Sequence, residues 1–461
     1  MPEELSTLSK GELITIILKQ TREIEILKEQ IIELKEQIKQ KDDGSQEKQI
    51  PSFVKANSKR RRKAKKDYQK REHGFSRKLD TPTQTIFHTL DVCPDCGEDL
   101  GKPSVCFTRQ VVDIPMQQAN IAEHVVFKRW CSNCKRRVYP KVDLSSLVIG
   151  KGRLGINLMA LIATMREEEN SPIDQIQDHL KMVYQLQVSS GEIVEILHRL
   201  ANLSQDEYVK IHQHILSSRV VYADETGGRE DGQSRYHWSF SNERYQLLWY
   251  NRRRNAKVVK QALKTAKRDG FEGVLVSDFY SSYNEYLGFH QRCWVHYLRD
   301  IKGLKKLFPK DQKLRRWARQ IKGLYEEAKE YPGPDPSVPI GLKETERIQK
   351  ERYFQKKLQA LCEPFIKTDG PPSTLCARAL KFMPEMFTFV RFEGVNSDNN
   401  MAERAVRKTV IKRKISYGTR SKKGSETRSI LGSLFGTWRL QNLNPFEQMR
   451  LILLNAPCQE L

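Results

Sequence analysis

Residues 219–227, which read RVVYADETG, are the first indication of the fold of this chain. Their first five positions are mostly β-branched and aromatic, a composition that favours a buried strand, and Asp224 follows directly. Residues 273–277, GVLVS, repeat this arrangement in front of Asp278. We therefore predict that both aspartates lie at the ends of strands.

A third acidic phrase, DNNMAER, occupies residues 398–404. Ser397 and Asp398 are residue types that cap helix N-termini, and apolar residues follow at helical spacing, which places Glu403 in the first turn of a helix. Asn399 and Asn400 precede that helix, where they could either bind phosphate or orient Glu403.

The segments between these acids complete an ordered succession of elements. Residues 235–242 and 245–251 are predicted strands, and a helix is predicted near 256–266. Taken singly, each acid has an ordinary explanation, because an aspartate often follows a strand as a turn residue and a glutamate often opens a helix. The ordered set instead favours a ribonuclease-H-like nuclease core.

Three carboxylates in this order suit a magnesium site. Mg²⁺ takes oxygen ligands, keeps several waters and usually meets one or two protein carboxylates together with substrate phosphate. We predict that Asp224, Asp278 and Glu403 are catalytic and hold two Mg²⁺ ions, which activate the nucleophile and stabilise the leaving oxygen.

Several segments resemble the insertion sequence 66 family of DDE transposases. They are the two strand-end phrases, the segment CWVHYLR at 293–299 and the phrase at 398–404. Residues 442–446, NLNPF, and His73-Gly74 with Arg77 are similar to further motifs of that family, so the resemblance covers most of the chain. The sequence departs from the family pattern at Ile415, where asparagine is usual, which concerns subfamily and target preference rather than chemistry.

The resemblance implies a DNA transposase. Such an enzyme cleaves the ends of an insertion element and transfers the freed 3′-hydroxyl strands to target DNA, here with Asp224, Asp278 and Glu403 as the catalytic acids. Accessory transposition proteins are a further class of partner that the resemblance allows. Two alternatives stay open: a structure-selective nuclease with the same core, and a domesticated dimeric DNA-binding regulator whose acids are relics.

The charge balance predicts a polyanionic partner. The 461 residues include 80 Lys and Arg against 57 Asp and Glu, a net charge of +23. An excess of this size attracts phosphate and makes binding strongly salt-dependent, so DNA is the expected partner. The longest apolar stretch, 156–165, is too short to span a bilayer, and no secretory segment is evident. We therefore predict a cytoplasmic protein without a membrane partner.

Four of the nine cysteines form two CxxC pairs, with 34 residues between them at positions 97–130. This spacing is typical of a zinc ribbon, and residues 107–114 and 123–130 are the predicted strands of its β unit. Four reduced structural cysteines, or one redox CxxC, are the alternatives. Cys106 is expected to pack inside the unit. The predicted ligands of one structural Zn²⁺ are Cys93, Cys96, Cys131 and Cys134.

The first forty residues carry a heptad repeat. Isoleucine recurs at every seventh position, and the complementary seam holds three leucines and one glutamine: Ile17, Ile24, Ile31, Ile38, Leu13, Gln20, Leu27 and Leu34. Isoleucine at one seam position and leucine at the other favour a parallel two-stranded coiled coil, so we predict a homo-oligomer. An amphipathic helix docked on its own protein is the alternative.

Two groups of cations are candidates for binding DNA. The first group lies in the linker after the coil and is either a flexible phosphate-binding arm or simply a solvated linker. It consists of Lys59, Arg60, Arg61, Arg62, Lys63, Lys65 and Lys66. The second lies beside Glu403, where it could grip the backbone of a transposon end or target: Arg404, Arg407, Lys408, Lys412, Arg413 and Lys414.

The predicted fold class is multidomain α/β, with a ribonuclease-H-like core. The domains are a coiled coil at 1–42, a basic DNA-binding linker at 43–80, a zinc-binding ribbon-like domain at 81–150, a helical domain at 151–218, the first part of the core at 219–300, a helical insertion at 301–392, and the second part of the core with a C-terminal tail at 393–461. The helical domain either contains a DNA-binding helix-turn-helix or uses its apolar residues only for core packing. Cys293 and His296 fit either half of a metal site or packing and a polar contact.

Overall fold

The computed structural model describes residues 24, 25, 29, 81–112, 118–150, 152–264, 270–337, 339–366, 368 and 370–456. The chain divides into two compact units, Met1–Asp113 and Ile114–Leu461. The basic linker at 43–80, with its seven candidate DNA-binding residues, lies outside the described residues. Nearly all of the predicted coiled coil does as well, because only residues 24, 25 and 29 of it are described.

The first unit contains a tight turn at its CxxC pair. The N–H of Cys93 donates to the carbonyl of Glu98 over 2.8 Å, and an antiparallel bridge joins Val92 to Asp99. The strand predicted at 107–114 is wrong over its described residues, 107–112, which are not in a strand. Phe107 and Val111 are exposed there. A β-branched segment becomes a strand only where a partner strand accepts its hydrogen bonds.

The second unit opens with a short antiparallel hairpin around the second CxxC pair. Its strands are β1 (Arg129–Cys131) and β2 (Arg136–Val138). The strand predicted at 123–130 was therefore placed too early, because only its last two residues pair with β2. The described residues of the predicted zinc-binding domain thus have less β structure than the sequence suggests.

Four helices follow the hairpin and build one side of the main core. They are α1 (Ile156–Glu167), α2 (Ile173–Tyr184), α3 (Ser190–Leu203) and α4 (Gln205–Leu216). The side chain of Ser189 accepts a hydrogen bond from the N–H of Glu192 and caps α3. Ile193, Ile196 and Leu200 of α3 are buried, so these apolar side chains serve packing rather than base contacts.

The central sheet is mixed. Its elements are β3 (Val220–Glu230), β4 (Gln233–Ser241), β5 (Gln246–Asn251), helix α5 (Ala256–Leu263), β6 (Val274–Ser277) and β7 (His290–Arg292). The strand order is β5-β4-β3-β6-β7, with β3, β4 and β5 antiparallel and β3, β6 and β7 parallel. The predicted succession of three strands, a helix and a fourth strand is present.

One expectation about β3 is wrong. Asp224 does not end the strand, because β3 continues to Glu230 in an antiparallel ladder with β4. The parallel ladder between β3 and β6 does stop early, and its last pair is Tyr222 with Val276. Asp224 therefore lies within a strand, yet beyond the end of the parallel pairing.

Side chains alternate between the two faces of the sheet. Tyr222 and Val276 pack on one face against Ala402, whereas Val221 and Ala223 belong to the main core on the other face. By the same alternation, Asp224 shares a face with Tyr222, and Glu225 shares a face with Ala223.

Five helices after β7, within the second unit, pack around a hydrophobic core of their own. They are α6 (Trp294–Leu307), α7 (Gln312–Lys329), α8 (Ile340–Ile366), α9 (Ser373–Lys381) and α10 (Thr388–Arg391). Trp294, Trp317, Phe354 and Phe387 are fully buried in this core. The helical segment thus begins before the boundary predicted at residue 301.

Three helices complete the described chain: α11 (Asn400–Ser416), α12 (Lys422–Leu440) and α13 (Pro445–Leu454). Helix α12 covers the edge strand β5, whose N–H groups at Leu248 and Gln246 donate to the hydroxyls of Ser433 (2.7 Å) and Thr437 (3.1 Å). Gly432 permits this approach, because a Cβ there would lie 2.7 Å from Leu248 Cδ1. None of the helices in the described part of the chain is long and apolar enough to cross a membrane.

A partly buried ionic cluster ties the end of α1 to α11 and α12. Lys412 pairs with Glu167, and Glu168 pairs with Lys408 and Arg439. Lys412 is only 4% exposed. Burial lowers its pKa to about 8, although the charge of Glu167 opposes the shift. The prediction that Lys412 binds DNA is therefore wrong, because its ammonium group is engaged inside the protein.

Lys412→Ala should lower the free energy of unfolding by about 3–5 kcal/mol, since it leaves the carboxylate of Glu167 buried without its partner. The matched control is Lys422→Ala, which breaks an exposed pair with Glu426 and should change stability by less than about 0.5 kcal/mol. Urea unfolding followed by circular dichroism measures both. Equal effects of the two variants would contradict the structural role given to Lys412.

Candidate active site

The three predicted acids come from three different elements. Asp224 lies within β3, Asp278 directly follows β6, and Glu403 lies in the first turn of α11. Burial, together with the negative charges of Glu225, Asp278 and Glu403, raises the pKa of Asp224 to about 7. The structure thus brings the three acids into one electrostatic neighbourhood, and it adds Glu225 to them.

The acid side chains make few hydrogen bonds to the protein. Asp224 Oδ1 accepts from the N–H of Glu225 (2.9 Å), and Asp278 Oδ1 accepts from the N–H of Tyr280 (2.8 Å). Glu403 Oε1 is buried and has no hydrogen-bond partner among the described residues. Most of the oxygen lone pairs of these carboxylates therefore remain available to a ligand.

A histidine and an arginine flank Glu403. His296 Nε2 and Arg299 Nη2 each lie 3.6 Å from Glu403 Oε1, beyond hydrogen-bond distance. Carboxylate oxygens are the ligands that Mg²⁺ prefers. A buried carboxylate oxygen without a hydrogen-bond partner fits the role of a metal ligand. Across the described ranges, no cluster of three or more His, Cys, Asp or Glu side chains is gathered closely enough to hold a metal ion by itself.

A buried arginine fixes the backbone of Asp278. Arg292 is fully buried, and its Nη1 donates to the carbonyl of Asp278 over 2.9 Å. Its Nε donates to Glu385 (2.6 Å), and its Nη2 donates to Asn284 (2.7 Å). Ser277 Oγ donates to the same carbonyl of Asp278 over 2.8 Å. The position of this acid thus depends on Glu385, which lies between α9 and α10.

Ser277, His290 and Glu385 form a chain of polar contacts behind Asp278. Ser277 Oγ lies 2.8 Å from His290 Nε2, and His290 Nδ1 lies 3.1 Å from Glu385 Oε2. Burial lowers the pKa of His290 to about 4. Because Ser277 and His290 are buried, this serine–histidine–glutamate set supports the backbone and is not exposed to a substrate.

The start of α11 is attached to β3 and α6. Asn399 Nδ2 donates to the carbonyl of Ala223 (2.8 Å), and the N–H of Asn399 donates to Cys293 Sγ (3.2 Å). Asn399 is buried, so it orients Glu403 and does not face phosphate. Helix α11 begins at Asn400, with Asp398 Oδ1 accepting from its N–H (3.0 Å).

Cys293 and His296 have different surroundings. Burial raises the pKa of the Cys293 thiol to about 11, and its sulfur faces Asn399, as the packing interpretation requires. His296 lies near Glu403 instead, as a polar contact of the candidate site. The described residues provide no second pair of ligands that would make these two side chains half of a metal site.

The cations around Glu403 differ in exposure. Arg404, Arg407 and Lys414 are exposed on α11. Lys408 binds Glu168, and Arg413 Nη1 donates to Thr226 Oγ1 (3.1 Å) and to the carbonyl of Gly227. Three of the six predicted DNA-binding residues of this segment thus present their charge to solvent.

Several residues of the site are absent from the sequence-based prediction. Arg292 and Glu385 carry no local signal, because they pair with each other across 93 residues of the chain. Glu225 stands next to Asp224, and Arg254 ends the run of three arginines at 252–254. Arg254 Nη2 and Glu225 Oε1 form an ion pair over 2.6 Å. The position of Glu225 beside Asp224 and the run of arginines were the only sequence signals for this ion pair.

The predicted zinc ligands lie in two turns, one in each unit. Hydrogen bonds from the backbone N–H groups of Asp95 and Cys96 lower the pKa of the Cys93 thiol, and the N–H of Cys134 does the same for Cys131. The distance from Cys134 N to Cys131 Sγ is 3.4 Å. Both turns therefore favour thiolates, the form that binds zinc.

Cys106 differs from its predicted place. It is exposed, whereas packing inside the unit was expected. The reason is the same as for the neighbouring strand prediction, because the described residues around it form no sheet that could cover a side chain.

An α/β domain that brings acidic side chains together, in a chain that also carries two CxxC turns, is typical of nucleic-acid-processing proteins. Residues 151–427 match the profile of the Transposase IS66 family, and residues 91–135 match the profile of the zinc-finger binding domain of transposase IS66. No curated protein matches the chain. Because the first match covers more than half of the residues, the chain belongs to the IS66 transposase family, and the resemblance noted from the sequence motifs is confirmed.

Proposed function

We propose that this transposase cleaves the ends of its insertion element and transfers the 3′-hydroxyl strands to target DNA, with Asp224, Asp278 and Glu403 as its catalytic acids. The observation that carries the proposal is the electrostatic grouping of these acids within a domain of the IS66 family. The strand order β5-β4-β3-β6-β7, with an antiparallel half and a parallel half, supports a ribonuclease-H-like core.

Asp224, Asp278 and Glu403 would hold two divalent cations such as Mg²⁺. When bound, these ions supply activation of the attacking hydroxyl and stabilisation of the leaving oxygen. The protein's own task is to keep the acids in place against their mutual repulsion. Arg292 and Ser277 hold the carbonyl of Asp278.

The exposed face of α11 supplies a surface for the DNA backbone. Arg404, Arg407 and Lys414 lie on one side of this helix, since their spacing of three and seven residues returns to the same face. The opposite side, with Ala402 and Val406, is buried. Cations placed on the helix that carries Glu403 would hold phosphates beside the acids without selecting a sequence.

Self-association through residues 1–42 remains a prediction of the heptad pattern. Cutting and joining two element ends requires two active sites in one assembly, which gives oligomerisation a function. The basic linker at 43–80 would add phosphate contacts next to it.

Asp278→Asn should abolish Mg²⁺-dependent cleavage and joining of linear DNA that carries the element's own ends, with a rate loss of at least about a thousandfold. Asp231→Asn is the matched control, because Asp231 is an exposed turn residue with φ of 48°, a conformation that asparagine also adopts. Gel analysis of labelled strands measures cleaved and joined products separately.

The outcomes of this experiment separate the alternatives. Joined products that are lost only in Asp278→Asn support the transposase. Cleavage without joining would favour the structure-selective nuclease. Salt-sensitive binding without any cleavage would favour the DNA-binding regulator and would count against the proposed chemistry.

We further propose that Cys93, Cys96, Cys131 and Cys134 hold one structural Zn²⁺. The zinc-finger profile of the family spans all four residues, and the backbone N–H groups near Cys93 and Cys131 favour their thiolates. Four thiolates leave no open coordination position, so this ion would support folding and not catalysis.

Purified protein should contain about one zinc per chain, and Cys131→Ser should lose most of it. Cys106→Ser is the matched control, since Cys106 is an exposed cysteine outside the CxxC pairs, and it should retain full zinc content. Elemental analysis by mass spectrometry measures both. Equal zinc loss in the two variants, or none in either, would be inconsistent with the assigned ligands.

Metal affinity at the acids should depend on pH. The pKa of Asp224 is raised to about 7, so a cation must displace a proton below that pH and meets the ionised carboxylate above it. Affinity for Mn²⁺ should therefore rise by up to about tenfold per pH unit below 7 and level off above. Calorimetric titration across this range tests the expectation, and Asp224→Asn should remove the dependence. A flat profile in the unmodified protein would contradict it.

A further inference from the structure

An ion pair beside the acids has no part in the proposed metal site. Glu225 Oε1 accepts from Arg254 Nε (3.0 Å) and Arg254 Nη2 (2.6 Å), and Glu225 Oε2 accepts from the hydroxyl of Tyr283 (2.5 Å). The side chain of Glu225 is 2% exposed, whereas that of Arg254 is 43% exposed. A buried carboxylate thus holds an arginine whose other edge reaches solvent.

Tyr280 also fixes the position of Arg254. Its guanidinium carbon lies 3.9 Å from the centre of the Tyr280 ring, and the Tyr280 hydroxyl donates to the carbonyl of Arg254 over 2.9 Å. The N–H of Tyr280 donates to Asp278 Oδ1 (2.8 Å). Arg254 is therefore connected to a candidate catalytic acid through a single intervening residue.

Glu225 is a poor candidate for a metal ligand, because both of its carboxylate oxygens already accept hydrogen bonds. This separates it from Glu403, whose Oε1 has no partner among the described residues. The role that its contacts support is to hold Arg254.

The arrangement differs from an ordinary surface ion pair. Holding a long arginine side chain in one rotamer costs side-chain entropy, and exposed pairs rarely recover it. Here the carboxylate is buried and the guanidinium carbon lies 3.9 Å from the centre of the Tyr280 ring, so both contacts restrain the arginine in the absence of a ligand. Among the described residues, no acceptor bonds Nη1 of Arg254, which leaves its N–H donors for a ligand.

We propose that Arg254 contacts the substrate: its Nη1 edge donates to a phosphate oxygen of the DNA strand that lies at Asp224, Asp278 and Glu403. Glu225, Tyr280 and Tyr283 are the positioning residues that aim it. The inference rests on the proposed function, because that function brings a DNA strand to these acids. A planar guanidinium is the side chain best suited to an anionic phosphodiester, and a pre-oriented one binds without further loss of freedom.

The test measures binding, so that it does not depend on catalysis. Full-length protein is titrated in Ca²⁺ with linear DNA carrying the element's own ends, and single phosphates near the cleavage point are replaced one at a time by uncharged methylphosphonates. Arg254→Ala is compared with Arg252→Ala, which removes an exposed arginine from the same loop. Arg254→Lys retains the charge without the planar fork.

At one position, the methylphosphonate and Arg254→Ala should each weaken binding about tenfold, and together they should weaken it by little more than either alone. The loss of affinity caused by Arg252→Ala should multiply with the loss caused by every methylphosphonate, as expected for independent effects. Arg254→Lys should recover only part of the affinity, and Glu225→Gln should reduce the coupling at the same phosphate without moving it. These changes concern one phosphate, which a purely structural defect would not single out.

Multiplicative effects of Arg254→Ala and Arg254→Lys at every phosphate would overturn the inference. So would coupling to an abasic nucleotide in place of a methylphosphonate, which would mean that a base stacks on the guanidinium. Failure of the proposed function is a separate result: binding with the coupled phosphate but no cleavage in Mg²⁺ would reject the chemistry and keep the contact, whereas cleavage and joining without coupling would reject only the contact.

Discussion

The carboxylates of Asp224, Glu225, Asp278 and Glu403 repel one another in a partly buried site, and this repulsion helps to raise the pKa of Asp224. The protein opposes it mainly through backbone positions. Arg292 holds the carbonyl of Asp278, and Asn399 holds the carbonyl of Ala223 next to Asp224. Hydrogen bonds to the side chains would occupy the oxygens that a ligand needs, so fixing the backbone keeps the acids close and still available.

This support comes from distant parts of the chain. Arg292 is oriented by Glu385 of the inserted helical segment, so the segment helps to position Asp278 and is more than an attachment to the core. Helix α11, which carries Glu403, is held at its other end by the buried pair of Lys412 with Glu167 of α1. The acids therefore depend on elements both before and after the sheet.

Sequence patterns revealed the strands before Asp224 and Asp278, because alternation and β-branched composition are local properties. They did not reveal that β3 continues to Glu230, since its glycines and charges look like a loop and only pairing with β4 makes them a strand. They also did not show that Lys412 is buried, because Glu167 lies 245 residues away. The helical period offered one hint: Lys412 follows the buried Val406 and Thr409 at intervals of three. Long-range pairing decided each of these cases.

The continuation of β3 beyond the parallel ladder explains how two neighbouring acids come to differ. Alternation along the strand sends Asp224 to the face that α11 covers and Glu225 to the face of Tyr283 and Arg254. Because of this alternation, one short segment supplies a carboxylate with a free oxygen on one face and a fully bonded carboxylate on the other. The free oxygen of Asp224 suits a metal cation, and the bonded carboxylate of Glu225 suits an arginine. A single strand can therefore position two positive charges, a metal ion and a guanidinium, for one phosphodiester.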